Sequence, residues 1–476
     1  MRFIGRVADE ATDTSATVIL VKEAEKEVCS EEIVLIENGG EKKIGSVIGV
    51  LRRGLGKNEL LNISRYRPDI AYMKYGGEPS GSREVFSFNI SIIGSVDEGK
   101  IRANRRIIAP RSPVYLFDEN ENPLEKYIAP SAKRLGWLDA HLDGHPSWKV
   151  PADAQYIPYH VGVFGATGTG KSWFTRHVLI PFYMNNGYKV IVLDWSGEDY
   201  SPYFESVHIS EIAQDELSIM EYFSKITEGF GRNDNVKDAF DEYVMGWEEK
   251  VRGREPSSVY EELKKFVYNH LEEIKRDDWR NSALRAANRV FRRLKPEHIT
   301  PLMGTMHVEK LIERKENPIV VDMSGFSSNS KLSFFLSLSS ELQRMMIGGM
   351  DLKMALVIDE APQYCPFKPE GMQIETTEAI KNLAALGRKH DLNLTLIAQG
   401  IAGEIGINAA VRRNLNTNFY GRLHPLDAAG EGGAKDWLGP FGITPEYLLN
   451  LEDGRFYFAG IMNPSPIPLL ITFEVR

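Results

Sequence analysis

The residues best suited to chemistry are Gly165, Ala166, Thr167, Gly168, Thr169, Gly170, Lys171 and Ser172. Their spacing is G-x-x-x-x-G-K-[ST], the pattern in which backbone N–H groups wrap a polyphosphate. Glycines let the chain turn those N–H groups inward. The lysine of the pattern reaches the β- and γ-phosphates, and the hydroxyl after it ligates Mg²⁺. Lys171 and Ser172 occupy those two positions. The mechanism also requires a strand before the loop and a helix after it, whose N-terminus adds its positive dipole end. Val161–Phe164 reads as that strand, and Trp173, the last residue of the expected cofactor-binding set, opens residues 173–179 as the helix.

A second group lies in MALVIDEAPQY, where the apolar run 354–358 ends on Asp359 and Glu360. Ligand chemistry in open α/β sheets gathers at the carboxyl ends of strands. Asp359 suits Mg²⁺, and Glu360 suits a general base that polarises the attacking water. Acidic pairs also cap helices, but a pair that ends an apolar strand downstream of a phosphate loop predicts an ATP hydrolase. LNLTLIAQG ends another strand on Gln399, either a γ-phosphate sensor or a satisfied polar strand end. Arg388 is either a surface arginine or one that reaches a phosphate bound by a neighbouring subunit, and Arg422 is its rival. In VLDWSGEDY, Asp194 ends a strand and Glu198 and Asp199 follow it. These carboxylates either cap the next helix or add a second acidic group near Mg²⁺.

The elements that must position these groups follow from periodicity. Residues 161–164, 190–193, 319–321, 355–358 and 394–398 are short, continuous apolar runs separated by helical stretches. That alternation predicts an α/β fold with a parallel sheet covered on both faces. Residues 1–120 read as β, with short segments at 3–7, 14–20, 33–36, 44–51 and 85–93, and predict a small barrel or sandwich. In the last of these, Phe86, Phe88, Ile90 and Ile92 alternate with Ser87, Asn89 and Ser91. The stretch 52–82 is less regular, with Gly76-Gly77 and residues 79–81 as loop. Residues 121–155, rich in Pro, Gly and His, read as a connector.

The ATPase core is expected over 156–205 and 301–476, with a C-terminal β hairpin at 456–461 and 469–475. Residues 206–300 are expected as a helical insertion, in which Leu284, Ala287, Phe291 and Leu294 form one stripe. Its Arg285, Arg289 and Arg292 form a row that is either a solvated face or a surface for phosphates.

Two cysteines, Cys29 and Cys365, build no disulfide framework, and no run reaches the roughly 18 apolar residues of a membrane span. The start has no apolar core of a secretory signal, so the expected location is cytoplasmic. A net charge of −9 gives no support to nucleic-acid binding, although a ring can be acidic outside and basic along its channel.

The order of these features resembles the HerA family within the HerA/FtsK class of hexameric DNA-translocating ATPases. The resemblance rests on HVGVFGATGTGKS, VLDWSGEDY, IVVDMSGF, VIDEAPQY, GRKHDLNLTLIAQ, RRNLNTNFYGRLHPLD and LEDGRFYFAG, and on an N-terminal β region similar to a HAS-barrel. It implies a RecA-like core and a homohexamer with ATP and Mg²⁺ at subunit interfaces. It further implies double-stranded DNA in the channel, no membrane, and a NurA-like nuclease or other effector as partner in DNA repair and end resection. It assigns Glu360 as catalytic base, Gln399 as sensor, and Arg388 or Arg422 as the arginine acting in trans. Two departures stand out. The family's Thr-Gln-Arg-Pro reads Ala398-Gln399-Gly400-Ile401 here, and Pro362 follows Ala361 where the family often has His. The first motivates an alternative, a nucleotide-gated assembly platform without processive translocation.

Overall fold

The computed structural model describes residues 1–40, 44–58, 74–76, 84–403 and 405–474. The chain forms two compact units. One comprises residues 1–182, 399–403 and 415–476, the other residues 183–398 and 404–414. Most of the irregular stretch 52–82, including Gly77 and residues 79–81, lies outside the described residues, as does the end of the 469–475 segment.

The first unit begins with a closed antiparallel barrel. Ser15–Leu20, Arg2–Val7, Pro113–Leu116, Ile33–Asn38, Gly45–Asn58 and Glu84–Asp97 pair in that order, and Glu84–Asp97 pairs back onto Ser15–Leu20. Ile4, Val18, Val34, Ile36, Leu51, Ile90 and Val114 fill its interior. Closure leaves these six strands with no exposed edge to template aggregation.

The connector reading of 121–155 is corrected in part. Leu135–Leu142 and His145–Asp153 form an antiparallel hairpin, and its first strand pairs with Leu469–Thr472. The signal was present in the sequence. Asp143-Gly144 is a hairpin turn dipeptide, and Gly144 takes the positive φ of 80° that such turns need. Trp148, Val150 and Ala152, two apart, are the buried face of the second strand. Leu469–Thr472 continues antiparallel to Arg455–Gly460, which pairs with Thr417–Tyr420. The last of these runs parallel to Val161–Phe164, with Val161 opposite Thr417.

A buried ion pair ties barrel to hairpin strands inside this unit. Arg52 and Glu31 form a salt bridge at 1% and 6% side-chain exposure. Arg52 Nη2 also donates to the Pro468 carbonyl at 2.7 Å, and Tyr457 donates to Glu31 at 3.2 Å. Burial pushes the Glu31 carboxyl up even with Arg52 opposing it. Arg52→Met should therefore cost about 3–5 kcal/mol in denaturant unfolding, because it strands a buried carboxylate. Adding Glu31→Gln should recover part of the loss.

His145, at the hairpin turn, makes a second tie. Its Nδ1 lies 2.7 Å from Glu119 and its Nε2 2.8 Å from Glu32, with the ring stacked on Trp148. Burial pulls the imidazole pKa down, but the hydrogen bonds to Glu32 and Glu119 outweigh it, and the net shift is up. A raised pKa contributes stability that is complete below the unfolded value of about 6.5 and is lost as pH rises through the folded value. The expected contribution is about 1 kcal/mol, since Glu119 is half exposed. Denaturation at pH 6 and pH 9, with His145→Gln lacking the difference, checks it.

The second unit holds five parallel strands in the order Ser206–His208, Ile319–Asp322, Lys189–Asp194, Met354–Ile358 and Leu392–Ala398. The last two are buried throughout, which explains their unbroken apolar sequences. Ser206–His208 is an edge strand, so the helical insertion starts after it rather than at residue 206. Glu216–Ile226, Asp234–Val244, Pro256–Glu272 and Asp277–Arg293 pack around a core of their own, including Phe223, Phe240, Trp247, Leu263 and Phe291. The buried stripe of the last helix is Ala283, Ala286, Ala287, Val290, Phe291 and, just beyond its end, Leu294. Leu284 is only partly buried, so the face is turned slightly from the expected one. Arg285, Arg289 and Arg292 are exposed, and Arg289 caps the Gly231 carbonyl at 2.9 Å, which favours the solvated-face reading.

Candidate nucleotide site

In the first unit, strand Val161–Phe164 delivers the chain into the glycine loop, and Lys171 opens the helix beyond it. Gly168 and Gly170 have φ of 83° and 93°, values open to glycine at little cost. A Cβ on Gly165 would meet Thr169 Oγ1 at 2.7 Å. The loop is anchored from two sides. Ala166 N–H donates to the Arg422 carbonyl at 2.7 Å, and Gly454 N–H donates to the Thr169 carbonyl at 3.1 Å. Lys171 Nζ curls onto the loop and donates to the carbonyls of Gly165 at 2.8 Å and Ala166 at 3.1 Å. A phosphate in the loop would offer that ammonium a stronger, charge-assisted partner.

Gln399 joins this site. Its Oε1 accepts from Thr167 Oγ1 of the loop at 3.1 Å. The backbone just after it is pinned by Asp427, whose buried carboxylate accepts from Ile401 N–H at 2.6 Å and Ala402 N–H at 3.1 Å. Asp427 had no assigned role in the sequence. The Asp of the Arg-Leu…Asp run was the available signal. Arg422 lies beside its own phosphate loop, with its side chain on Asp453 at 3.0 Å.

In the second unit, Asp359 and Glu360 follow strand Met354–Ile358. Asp359 is 4% exposed. Burial, then the negative charges of Asp199, Glu360 and Asp194, push its carboxyl well above the usual carboxylate range. A carboxyl in such surroundings ionises when a cation compensates it, so this donor set fits a divalent ion. Among the described residues no cluster of three or more His, Cys, Asp or Glu side chains could hold a metal. Mg²⁺ in such sites takes one or two protein carboxylates and completes its shell with phosphate and water. Glu360 has φ 49° and ψ 47°, a left-handed conformation that costs a non-glycine residue energy. The turn Ala361–Gln363 holds it, with Gln363 N–H on the Glu360 carbonyl at 2.8 Å.

Asp194 is fully buried, and its oxygens accept from the N–H groups of Gly197, Tyr200 and Ser201 and from the Ser201 hydroxyl. It shapes the loop that carries Asp199. Lys331, which the sequence reading passed over, supports the same loop, donating to the Trp195 carbonyl at 2.7 Å with its ammonium over the indole. Arg388 is exposed just after helix Met372–Gly387 and ahead of strand Leu392–Ala398. Met354 and Leu392 are in register, so Arg388 lies beyond the opposite end of the ladder from its own Asp359, about 16 Å or more away.

A strand–glycine loop–helix with its lysine folded onto the loop, in a chain whose buried strand ends on an acidic pair, defines a P-loop nucleotide-binding protein with a RecA-like core. Residues 136–342 match the family model described as "Helicase HerA, central domain", which bears out the HerA-family resemblance. No curated protein matches. Solved structures similar to this chain include VirB4 of Thermoanaerobacter pseudethanolicus, at 14% identity and TM-score 0.46, covering 72% of this chain and 97% of that one. The bacterial conjugative coupling protein TrwBdeltaN70 is 14% identical with TM-score 0.43, covering 76% and 92%. The genome packaging NTPase B204 of Sulfolobus turreted icosahedral virus 2, in complex with AMPPCP, is 12% identical with TM-score 0.34, covering 66% and 97%. Among the described residues no helix is long and apolar enough to cross a membrane.

Proposed function

We propose that this protein hydrolyses Mg²⁺-ATP to move duplex DNA, as a homohexamer that works with a nuclease in DNA end processing. The observation that carries the reading is the phosphate loop, shaped by Gly165, Gly168 and Gly170 and already in contact with Lys171 and Gln399. Lys171 and the loop N–H groups bind and orient the phosphates. Ser172 and Asp359 would hold Mg²⁺, which supplies charge neutralisation at the γ-phosphate. Glu360 takes the proton from the water that attacks the γ-phosphorus, and ADP leaves with the bridging electron pair. Gln399, between Thr167 and the segment held by Asp427, reports γ-phosphate occupancy to the backbone beyond it.

The decisive test compares ATP hydrolysis with and without duplex DNA, and displacement of a strand or triplex ahead of the enzyme. A DNA-stimulated rate that falls steeply as salt rises supports the motor. The specific observation favouring the platform alternative is that Ile401, in the altered Thr-Gln-Arg-Pro element, and Ala402 just after it are fastened to Asp427. A rate indifferent to DNA, with partner binding gated by ATP, would support it.

We take Arg388, remote from its own Asp359, as the arginine that acts on a neighbour's nucleotide, with Arg422 as its rival. Arg388→Ala is expected to lower turnover about 10³-fold while ATP binding persists. Mixing it with wild-type subunits should depress the rate more than the mutant fraction does. Unchanged turnover in the all-Arg388→Ala ring would return the arginine to a surface role.

A further inference from the structure

A cavity of about 430 Å³ in the first unit is lined by Asp139, His141, Lys149, Trp173, His177 and Phe473, among others. Two of its walls are tied to the phosphate loop. Trp173 and His177 are four residues apart on the helix that opens at Lys171, and so share one face of it. On the other side, Phe473 N–H donates to the Gly454 carbonyl at 3.0 Å, and Gly454 N–H donates to the Thr169 carbonyl of the loop. Asp139, His141 and Lys149 come from the 135–153 hairpin. The loop N–H groups and Lys171 can read phosphates alone, so the remainder of a nucleotide must be held elsewhere, within one nucleoside's length of Ser172. Trp173 is the next residue.

We propose that this cavity is the nucleobase subsite of the nucleotide held at Gly165–Ser172, taking a purine against the Trp173 indole with its polar edge toward the hairpin. The proposal rests on the phosphate-loop reading above. The volume is in the range of small-ligand pockets, and a flat aromatic face is what a base stacks on. Trp173 Nε1–H is buried without an acceptor among the described residues, and buried donors ordinarily find one. Burial, then the nearby Arg176, hold the His177 pKa near 4, and burial also lowers that of His141. The His177 imidazole is therefore neutral near pH 7 and has one donor and one acceptor nitrogen to offer a base edge. Asp139 adds an acceptor and Lys149 a donor.

The test measures affinities of the full chain, with Mg²⁺, for ATP, CTP and inorganic tripolyphosphate. The wild type should bind ATP more tightly than CTP. Trp173→Ala should weaken ATP about tenfold and leave tripolyphosphate unchanged, with Trp173→Phe restoring part of the loss. His141→Ala, on the hairpin and remote in sequence from the loop, should move ATP in the same direction without affecting tripolyphosphate. An ATP-to-tripolyphosphate ratio equal to wild type in both alanine variants would overturn the subsite. A wild type that binds neither ligand would instead overturn the phosphate-loop reading, and the subsite with it.

Discussion

Glu360→Gln should lower the ATP hydrolysis rate by about 10²–10⁴-fold and leave ATP affinity within a few-fold of wild type. The amide keeps the size of the side chain and can still hydrogen-bond water. It cannot take the proton that the attacking water must lose. The left-handed backbone at Glu360 is set by the turn that follows it, and glutamine tolerates that conformation no worse than glutamate. Binding should therefore survive, because phosphates are gripped by the loop and not by this carboxylate. A single-turnover assay with a parallel binding titration separates the two quantities. Full turnover in this variant would move the general base to another carboxylate, with Asp199 the first to examine, since its charge acts on Asp359.

Lys171→Ala should act on the other quantity. Its ammonium is the cation that the loop folds against the phosphate position, and charge-assisted hydrogen bonds of this kind are worth about 1.5–3 kcal/mol each. Losing contacts to two phosphates should raise the dissociation constant for ATP by more than about a hundredfold. Stability without nucleotide should change little, because the lost contacts are two hydrogen bonds to carbonyls of the loop itself. Isothermal titration with a non-hydrolysable ATP analogue and a thermal melt without nucleotide check both halves. Near-normal affinity would mean that the loop N–H groups alone hold the phosphates.

The two variants together separate binding from chemistry, and the residues for both were candidates from the sequence. The phosphate loop could be read because its chemistry forces glycine, lysine and hydroxyl into fixed local spacing, and all of its parts lie within eight residues. Asp359 and Glu360 could be read because a strand buried on both faces has no polar residue until it reaches the ligand edge. Strands 189–194, 319–322, 354–358 and 392–398 followed for the same reason, whereas the edge strand 206–208 was read into the helical insertion. The 135–153 hairpin was misread because Pro and Gly were weighed above the Asp143-Gly144 turn and the alternation through Trp148, Val150 and Ala152.

Local spacing thus determined by itself the phosphate loop and a parallel α/β sheet behind a small all-β region, barrel or sandwich. Tertiary structure decided which groups meet. It turned Asp194 into a loop scaffold, because backbone N–H groups up to seven residues on converge on its fully buried carboxylate. It brought Asp427 to the backbone beyond Gln399, and Phe473 and the hairpin to the flank of Trp173. No periodicity records such meetings, because strand pairing and burial set them, where the sequence carries composition and local spacing and no distance.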